Sequence, residues 1–388
     1  MVATIQGVTM NIIKHFTLFI LSLACLLNSL AHAQEQQSKG VKTIKHQFQS
    51  KAAKQTISFD VILPWGYNKN QKYPVLYTTS GGSRIDMLTY QTDWLSHVEM
   101  GPMPAMIIVQ LPYLDVESTL HPKFVSASGV ANPLTLNVLK NELIPFIDKS
   151  YLTYDYKVLE GYSSNGNFVL YAFEQSPTLF NGFIASSPAI ELDKSGLVER
   201  LSTLKYSEQY HDRFFYLSLG SFANNAPLFE NIKANLSQQA FHARFANYSQ
   251  YNFLSVASLS LTDAMEHLFA DKSPDIAQFA NDGRQSVIDY FKKLSQKYQQ
   301  TLSPNPSLID LSFYYVEQNQ GEKAVSTMQN LVNSHPENTF YLSRLAKVYE
   351  QLGETEKSRL TLQQGIKLAT KLNNKDALSY FKGELSKL

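Results

Sequence analysis

The sequence predicts an α/β fold with a mostly parallel sheet over residues 47–300, followed by a small all-α segment over residues 305–388. In the first region, short apolar and β-branched runs alternate with helix-like stretches, as they do in successive strand–helix–strand units. In the second region a helical pattern repeats at a fixed spacing. Apolar residues make up 44% of the 388 residues, which is enough to bury a sizeable core.

Residues 1–33 have the pattern of a signal peptide. The apolar run FTLFILSLACLL is followed by the tripeptide AHA, which supplies the small residues of a cleavage site. The run is too short for a comfortable membrane span. Cleavage after Ala33 removes Cys25, the only cysteine, whereas lipidation of Cys25 is the alternative. We therefore expect a periplasmic or secreted protein with no membrane span after cleavage, beginning with a polar, flexible lead-in over residues 34–46.

The composition argues against several function classes. Lys and Arg (34) nearly balance Asp and Glu (33), so the chain carries no basic field for binding nucleic acid. The histidines are scattered and the mature chain has no cysteine, so no metal-ligand spacing is present. We therefore expect no metal, no cofactor and no nucleic-acid partner.

The first strands of the α/β region differ in pattern. ISFDVILP (57–64) alternates, whereas YPVLYTT (73–79) and MPAMIIVQL (103–111) are continuous apolar runs, as buried parallel strands are. A helix is predicted after them, because Asn132 can cap it and Pro133 suits its first position.

Four further strands are predicted downstream, with a helix-like stretch over residues 226–241 among them. Their sequences are YKVLEG, GFIASSP, FFYLSLG and FLSVASLSL, which begin near Tyr156, Gly182, Phe214 and Phe253. Strands separated by helices in this way are typical of a parallel sheet.

The segment 305–388 repeats with a spacing of 34 residues. The matched pairs include Leu308 with Leu342, Leu311 with Leu345, and Tyr315 with Tyr349. The period resembles that of tetratricopeptide (TPR) repeats, and an ordinary pair of helical hairpins is the alternative. Because two repeats are few for an independent solenoid, we expect the segment to pack on the α/β domain or on another chain. The expected partner is a peptide, another protein or a second copy of the chain.

The stretch VLEGYSSNGNFVLYAF (158–173) predicts a nucleophile elbow. A strand, a sharp turn and a helix follow one another there, and Ser163 lies at the turn. Gly161 allows the backbone to approach closely. Asn165 stands where the G-x-S-x-G pattern has its second glycine, and we expect Gly166 to relieve the crowding. A plain Ser/Asn/Gly turn between a strand and a helix is the alternative.

A serine nucleophile needs a base. In α/β-hydrolases the chain order is serine, acid, histidine. We expect His267 to be the base, because it follows the last predicted strand, and a loop histidine is the alternative reading. His211 precedes a strand and His242 lies late in a predicted helix, so both are expected at the surface.

The acid is missing from its expected place. The strand FFYLSLG is followed by SFANNAPLF, and the next carboxylate is Glu230. A Ser–His dyad is one solution, and Asp263, Asn224 or Asn225 could orient the imidazole in another. A degenerate hydrolase that acts as a binding or scaffold protein through its TPR-like tail is therefore the alternative function.

Two backbone segments are expected to form the oxyanion hole. One N–H comes from Ser164, and the other comes from the loop that contains Gly81 and Gly82, which a plain turn would also explain. Tyr113, Arg84 and Trp94 are conceivable pocket residues and equally good structural residues.

Taken together, these segments resemble the esterase D-like family of α/β-hydrolases, which includes enterochelin-esterase-type siderophore hydrolases and S-formylglutathione hydrolases. The resemblance covers about residues 47–292 and is carried by ISFDVILPWGYNKNQKYPVLYTTSGG, ELIPFIDKSYLTYDYKVLEGYSSNG, FNGFIASSPAI and AMEHLF. It implies an α/β-hydrolase fold and a serine carboxylesterase that acts on a small-molecule or siderophore-like ester through a Ser163 acyl-enzyme. The chain departs from the family at Ser80, where Asp is frequent, at Asn165, and at the missing acid.

Overall fold

The computed structural model describes residues 40–79, 81–111, 133–193 and 195–388. The predicted signal peptide and the first part of the predicted lead-in lie outside the described residues. So do Ser80, Tyr113 and Asn132.

In the described ranges eight strands form one sheet, in the order β1-β2-β4-β3-β5-β6-β7-β8. The strands are β1 (Lys42–Ser50), β2 (Gln55–Leu63), β3 (Tyr73–Thr78), β4 (Ile107–Gln110), β5 (Thr153–Tyr162), β6 (Gly182–Ser186), β7 (Phe214–Leu219) and β8 (His242–Asn247). β1 pairs antiparallel with β2, and β2 pairs antiparallel with β4, whereas the strands from β4 across the sheet to β8 are parallel. The predicted α/β fold with a mostly parallel sheet is confirmed.

The parallel strands β3, β6 and β7 are buried on both faces, which explains their continuous apolar sequences. Every residue of β3, β6 and β7 is buried. We call the end of the sheet where the parallel strands finish the carboxyl edge, and the end where they begin the amino edge. The carboxyl edge contains Thr78 of β3, Tyr162 of β5 and Ser186 of β6.

Helices cover both faces of the sheet. They are α1 (Ser83–Ser96), α2 (Pro133–Val138), α3 (Ile144–Ser150), α4 (Ser164–Gln175), α5 (Leu197–Thr203), α6 (Ala226–Leu236), α7 (Phe253–Leu268) and α8 (Arg284–Lys297). A π-helical turn, Leu139–Leu143, joins α2 to α3. One apolar core contains residues of α4, α5 and α6, and the other contains residues of α1, α7 and α8.

The segment FLSVASLSL is a helix, not the strand that its sequence predicts. It begins α7, which the side chain of Asn252 caps by accepting a hydrogen bond from the N–H of Leu254 at 3.0 Å. Val256 and Ser260 are buried four residues apart on one face, which is the helical period. The last strand is instead β8, so His242 begins a strand and does not lie late in a helix.

The predicted lead-in also ends earlier than expected. Residues 42–46 are part of β1, whose exposure alternates along an edge strand. Lys42 pairs with Leu63, and Ser50 pairs with Gln55, so β1 and β2 form a complete hairpin.

Residues 305–388, all of which are described, form five helices. These are α9 (Asn305–Glu317), α10 (Gly321–Ser334), α11 (Thr339–Gln351), α12 (Thr355–Lys371) and α13 (Lys375–Leu385). The hydroxyl of Ser312 donates to the carbonyl of Ala324 at 2.8 Å, and that of Ser358 donates to the carbonyl of Ala346 at 3.0 Å. The same two positions of the 34-residue unit therefore meet in both hairpins.

The helical segment is packed directly on the α/β domain. Apolar residues of α9, α10 and α11 belong to the same core as α7 and α8. The Tyr315 hydroxyl donates to the carbonyl of Ala280 at 3.0 Å. Across the described ranges, the helices lack the length and apolar character needed to cross a membrane.

Candidate active site

Ser163 lies at a sharp turn between β5 and α4. Its backbone has φ 58° and ψ −129°, a strained conformation for a residue other than glycine. Its N–H donates to the carbonyl of Ser186 at 3.0 Å, and its carbonyl accepts from the N–H groups of Gly166 at 2.8 Å and Ala189 at 3.2 Å. The surrounding backbone thus holds Ser163 in the geometry of a nucleophile elbow at the carboxyl edge.

Two glycines make this turn sterically feasible. A Cβ atom at Gly161 would overlap with the backbone carbonyl of Asn165. A Cβ atom at Gly166 would lie 2.9 Å from the Cβ of Pro188. Asn165 itself is buried in the first turn of α4. The second close approach therefore falls on Gly166, which explains how Asn165 fits where the sequence pattern has glycine.

The predicted oxyanion segments both lie at the carboxyl edge. Ser164 is the first residue of α4, and the first N–H groups of a helix have no acceptor within it. Gly81 and Gly82 follow β3, which is the neighbour of β5 in the sheet. Gly82 has φ 57°, a conformation that glycine adopts without strain.

An ion pair between Arg84 and Glu160 lies next to the elbow, on the strand that leads into it. Glu160 is fully buried on β5 and pairs with Arg84, the second residue of α1. The Thr78 hydroxyl donates to Oε2 of Glu160 at 2.8 Å. The Arg84 guanidinium lies 5.6 Å from the ring centre of Tyr162, the residue before Ser163. Arg84 was expected to be either a pocket residue or a structural residue, and its ion pair gives it a structural role. Sequence reasoning missed Glu160, although a charge within the apolar run KVLEG was a signal.

The structure does not bring His267 to Ser163. The helix α7 begins at the carboxyl edge, where the carbonyl of Phe253 accepts a hydrogen bond from the Tyr162 hydroxyl. It ends at the amino edge, where Leu268 lies against Gly182, the first residue of β6. His267 is fourteen residues beyond Phe253, which is about 21 Å along a helix. His267 is therefore not placed to act as the base for Ser163, contrary to the prediction from the sequence.

His267 has other partners at its own end of α7. Its Nδ1 lies 2.7 Å from the backbone carbonyl of Asp263 and 3.1 Å from the Oδ1 of the same residue. Asp263 also pairs with Arg244 of β8, at 3.1 Å. Asp263 therefore contacts the imidazole as expected, but the pair lies away from the elbow.

The other histidines of the described ranges also lie away from Ser163. They are His46 in β1, His97 after α1, His211 before β7, His242 at the start of β8 and His335 after α10. His211 is exposed, as expected. His242, at the amino edge, is also exposed as expected, and partial desolvation lowers its pKa.

The two asparagine candidates are not placed to orient an imidazole. Asn225 is buried, its amide oxygen accepts from the N–H of Glu191 at 2.8 Å, and its amide nitrogen donates to the carbonyl of Pro188 at 3.2 Å. Asn224 is exposed. Asn225 thus fixes the loop after β6.

Aromatic residues stand beside the elbow where α7 begins. The ring centres of Tyr162 and Phe253 are 4.8 Å apart, and those of Phe253 and Phe222 are 5.0 Å apart. Phe222 follows β7 in the place where the acid was expected. Sequence reasoning missed this group, although Phe222 within SFANN was visible as an apolar residue in that place.

Trp94 lies away from the site. It is 71% exposed, and its ring stacks on His97 at 4.7 Å, near the far end of α1 from Gly82. In the described ranges, no cluster of three or more His, Cys, Asp or Glu side chains is arranged to hold a metal ion.

Comparisons with known proteins agree with this architecture. A family model described as "Putative esterase" matches residues 50–274. The structure is similar to that of an uncharacterised protein from Capnocytophaga ochracea, with a TM-score of 0.58, 13% identity, and coverage of 88% of this chain and 100% of that chain. It is also similar to an IroE-like serine hydrolase from Shewanella oneidensis, with a TM-score of 0.52, 22% identity, and coverage of 73% of this chain and 96% of that chain. At these identities the likeness shows a shared fold. None of the curated proteins matches this chain in sequence.

Proposed function

We propose that the chain is an exported serine hydrolase that cleaves carboxylic esters through an acyl-enzyme on Ser163. The chain belongs to the esterase family of hydrolases, as the resemblance of its motifs predicted. The observation that carries the proposal is the strained backbone of Ser163 at the strand–helix turn. Strain of this kind persists where the surroundings impose it, and it concentrates at functional sites.

The reaction begins when Oγ of Ser163 attacks the ester carbonyl. The N–H of Ser164 and the backbone of Gly81 and Gly82 are the proposed donors to the oxyanion, because they border Ser163 at the carboxyl edge. The alcohol then leaves with a proton, and water hydrolyses the acyl-enzyme to the acid and free Ser163. The serine proton goes to water or to a group other than His267, because His267 lies at the far end of α7.

The proposed substrate is a small-molecule ester. The family membership supports an ester in general. The resemblance of the sequence motifs to siderophore hydrolases is the ground for including siderophore-like esters among the substrates to be tested. The signal-peptide pattern supports a periplasmic or secreted location, which fractionation of expressing cells tests.

A partner for the helical segment is a separate proposal. Two 34-residue units support a peptide, another protein or a second copy of the chain as the partner. Light scattering of the mature chain would test self-association, since a monomer at all concentrations excludes the second copy.

The experiment compares hydrolysis of p-nitrophenyl acetate and butyrate by the mature chain from Gln34 with that by three variants. Ser163→Ala is expected to fall to background, and His267→Ala is expected to keep the wild-type rate. His121→Ala completes the set, because His121 is the one histidine of the mature chain outside the described residues. If Ser163→Ala matches wild type while both remain folded, these esters are not hydrolysed at Ser163, and ester binding without turnover becomes the function to test.

A further inference from the structure

The connections after β7 and β8 are where an acid and a histidine would have to lie in order to act on Ser163. In α/β-hydrolases the acid and the histidine follow the serine in chain order. Functional groups of open α/β sheets gather outside the carboxyl ends of the strands. In this chain the connection after β7 begins at Gly220, and the connection after β8 runs from Tyr248 to the start of α7 at Phe253.

Each of these connections contributes a phenylalanine instead. Phe222 comes from the first and Phe253 from the second, and their rings meet edge to face at 5.0 Å. Phe253 also packs on the ring of Tyr162, and its backbone carbonyl accepts the Tyr162 hydroxyl at 2.5 Å. Tyr162 is bonded directly to Ser163. Three connections of the carboxyl edge therefore converge beside the serine through aromatic side chains.

We propose that Phe222 and Phe253 occupy the two places from which a serine triad receives its acid and its base, so that the rate at Ser163 is limited by the missing imidazole at position 253. The inference rests on the proposed function, since it concerns the same serine. It agrees with two observations: Phe222 stands after β7 where an acid was expected, and His267 lies at the far end of α7 from Phe253.

An imidazole can be accommodated at position 253. Phe253 is only partly buried, and Phe222 beside it is 48% exposed. A histidine ring is smaller than that of phenylalanine, so the change leaves no overlap, and contact with solvent allows it to titrate near its ordinary pKa of about 6.5. The neutral ring would take the Ser163 proton as Oγ bonds to the carbonyl carbon, and then give it to the leaving alcohol.

The experiment measures kcat/KM for p-nitrophenyl butyrate between pH 5 and 9. Phe253→His is expected to exceed wild type by at least about tenfold, since general base catalysis contributes about 10²–10⁴-fold when the geometry is right. The gain should follow a titration with a midpoint of about 6–7, which packing alone would not produce.

Three controls make the result specific. Phe253→Leu changes the packing without adding a base and should not gain. Phe340→His adds a histidine at a partly exposed phenylalanine of α11, away from the site, and should also not gain. Ser163→Ala in the Phe253→His background should remove the whole gain. Circular dichroism and thermal unfolding would establish that each variant is folded.

The outcomes separate the inference from the proposed function. If Phe253→His is no faster than Phe253→Leu while both are folded, the inference is overturned, whatever the wild-type rate. If the wild type shows no Ser163-dependent hydrolysis but Phe253→His does, the inference stands and the proposed hydrolysis by the natural chain fails.

Discussion

The two ends of α7 lie beside different groups that a serine hydrolase needs: a serine at one end, and a histidine with a carboxylate at the other. Near Phe253, at the carboxyl edge, a strained Ser163 stands beside aromatic rings. Near His267, at the amino edge and about 21 Å along α7 from Phe253, an imidazole contacts a carboxylate. The difference teaches that a serine and a later histidine form a site only if the chain returns to the same edge of the sheet.

The largest expected effect on stability comes from the charged residues of β5, which is buried near the carboxyl edge at Glu160 and exposed near the amino edge at Asp155. Glu160→Gln leaves the guanidinium of Arg84, whose side chain is only 13% exposed, without its anionic partner, which should lower the free energy of unfolding by about 3 kcal/mol. Asp155→Asn on the same strand is the control, because Asp155 is exposed and its pair with Lys157 should be worth less than about 1 kcal/mol. Urea unfolding measures both, and equal losses would contradict the role given to the Arg84 pair.

Glycine substitutions compare the steric constraints of the two edges. In Gly161→Ala the new methyl group meets the Asn165 backbone, so we expect a loss of about 2–3 kcal/mol and of Ser163-dependent activity. In Gly182→Ala the methyl group meets the side chain of Leu268 at 3.2 Å, which can shift, so the loss should be about 1 kcal/mol or less. Thermal unfolding and ester hydrolysis report the two effects. A Gly161→Ala protein that is as active as the wild type would show that the turn is less tight than described.

The sequence predicted the features that depend on neighbouring residues. The buried parallel strands and the strand–turn–helix around Ser163 follow from local patterns, and both appear in the structure. The position of His267 could not be predicted from local sequence patterns. FLSVASLSL satisfies both an alternating and a helical pattern, and burial of Val256 and Ser260 against the sheet selects the helix. As a helix, the segment runs from the carboxyl edge to the amino edge, so His267 lies away from Ser163.

Backbone strain should be measurable at Ser163. Glycine adopts positive φ without the penalty of a Cβ atom, so Ser163→Gly should raise the free energy of unfolding by about 1 kcal/mol. Ser163→Ala removes the same hydroxyl but keeps the Cβ atom, so it should not be stabilised. If the two variants unfold at the same urea concentration, the backbone of Ser163 is not strained in solution.

A partly buried lysine, Lys272, gives the free energy of unfolding a pH dependence. Burial lowers the pKa of Lys272 from 10.5 to about 8, so the unfolded chain binds more protons than the folded chain between these values. The cost of burying the charge is therefore fully present below about pH 8 and disappears as the pH rises toward 10.5. Lys272→Met should be stabilised by about 1 kcal/mol at pH 7, after allowing for the lost hydrogen bond to the Gly101 carbonyl, and the gain should shrink at pH 10. Urea unfolding at both pH values measures it, and a gain that grows with pH would contradict this account.

The smallest expected effect is at His267 itself. Its side chain is 42% exposed, and Asp263 keeps its pair with Arg244 when the imidazole is removed. Solvent screens such contacts, so His267→Ala should change the free energy of unfolding by less than about 0.5 kcal/mol. Ester hydrolysis should stay within about twofold of wild type, because transfer of the Ser163 proton across the length of α7 is not feasible. A loss of two orders of magnitude in kcat, with stability unchanged, would instead require His267 to reach Ser163 in solution and would remove the contrast between the two ends of α7.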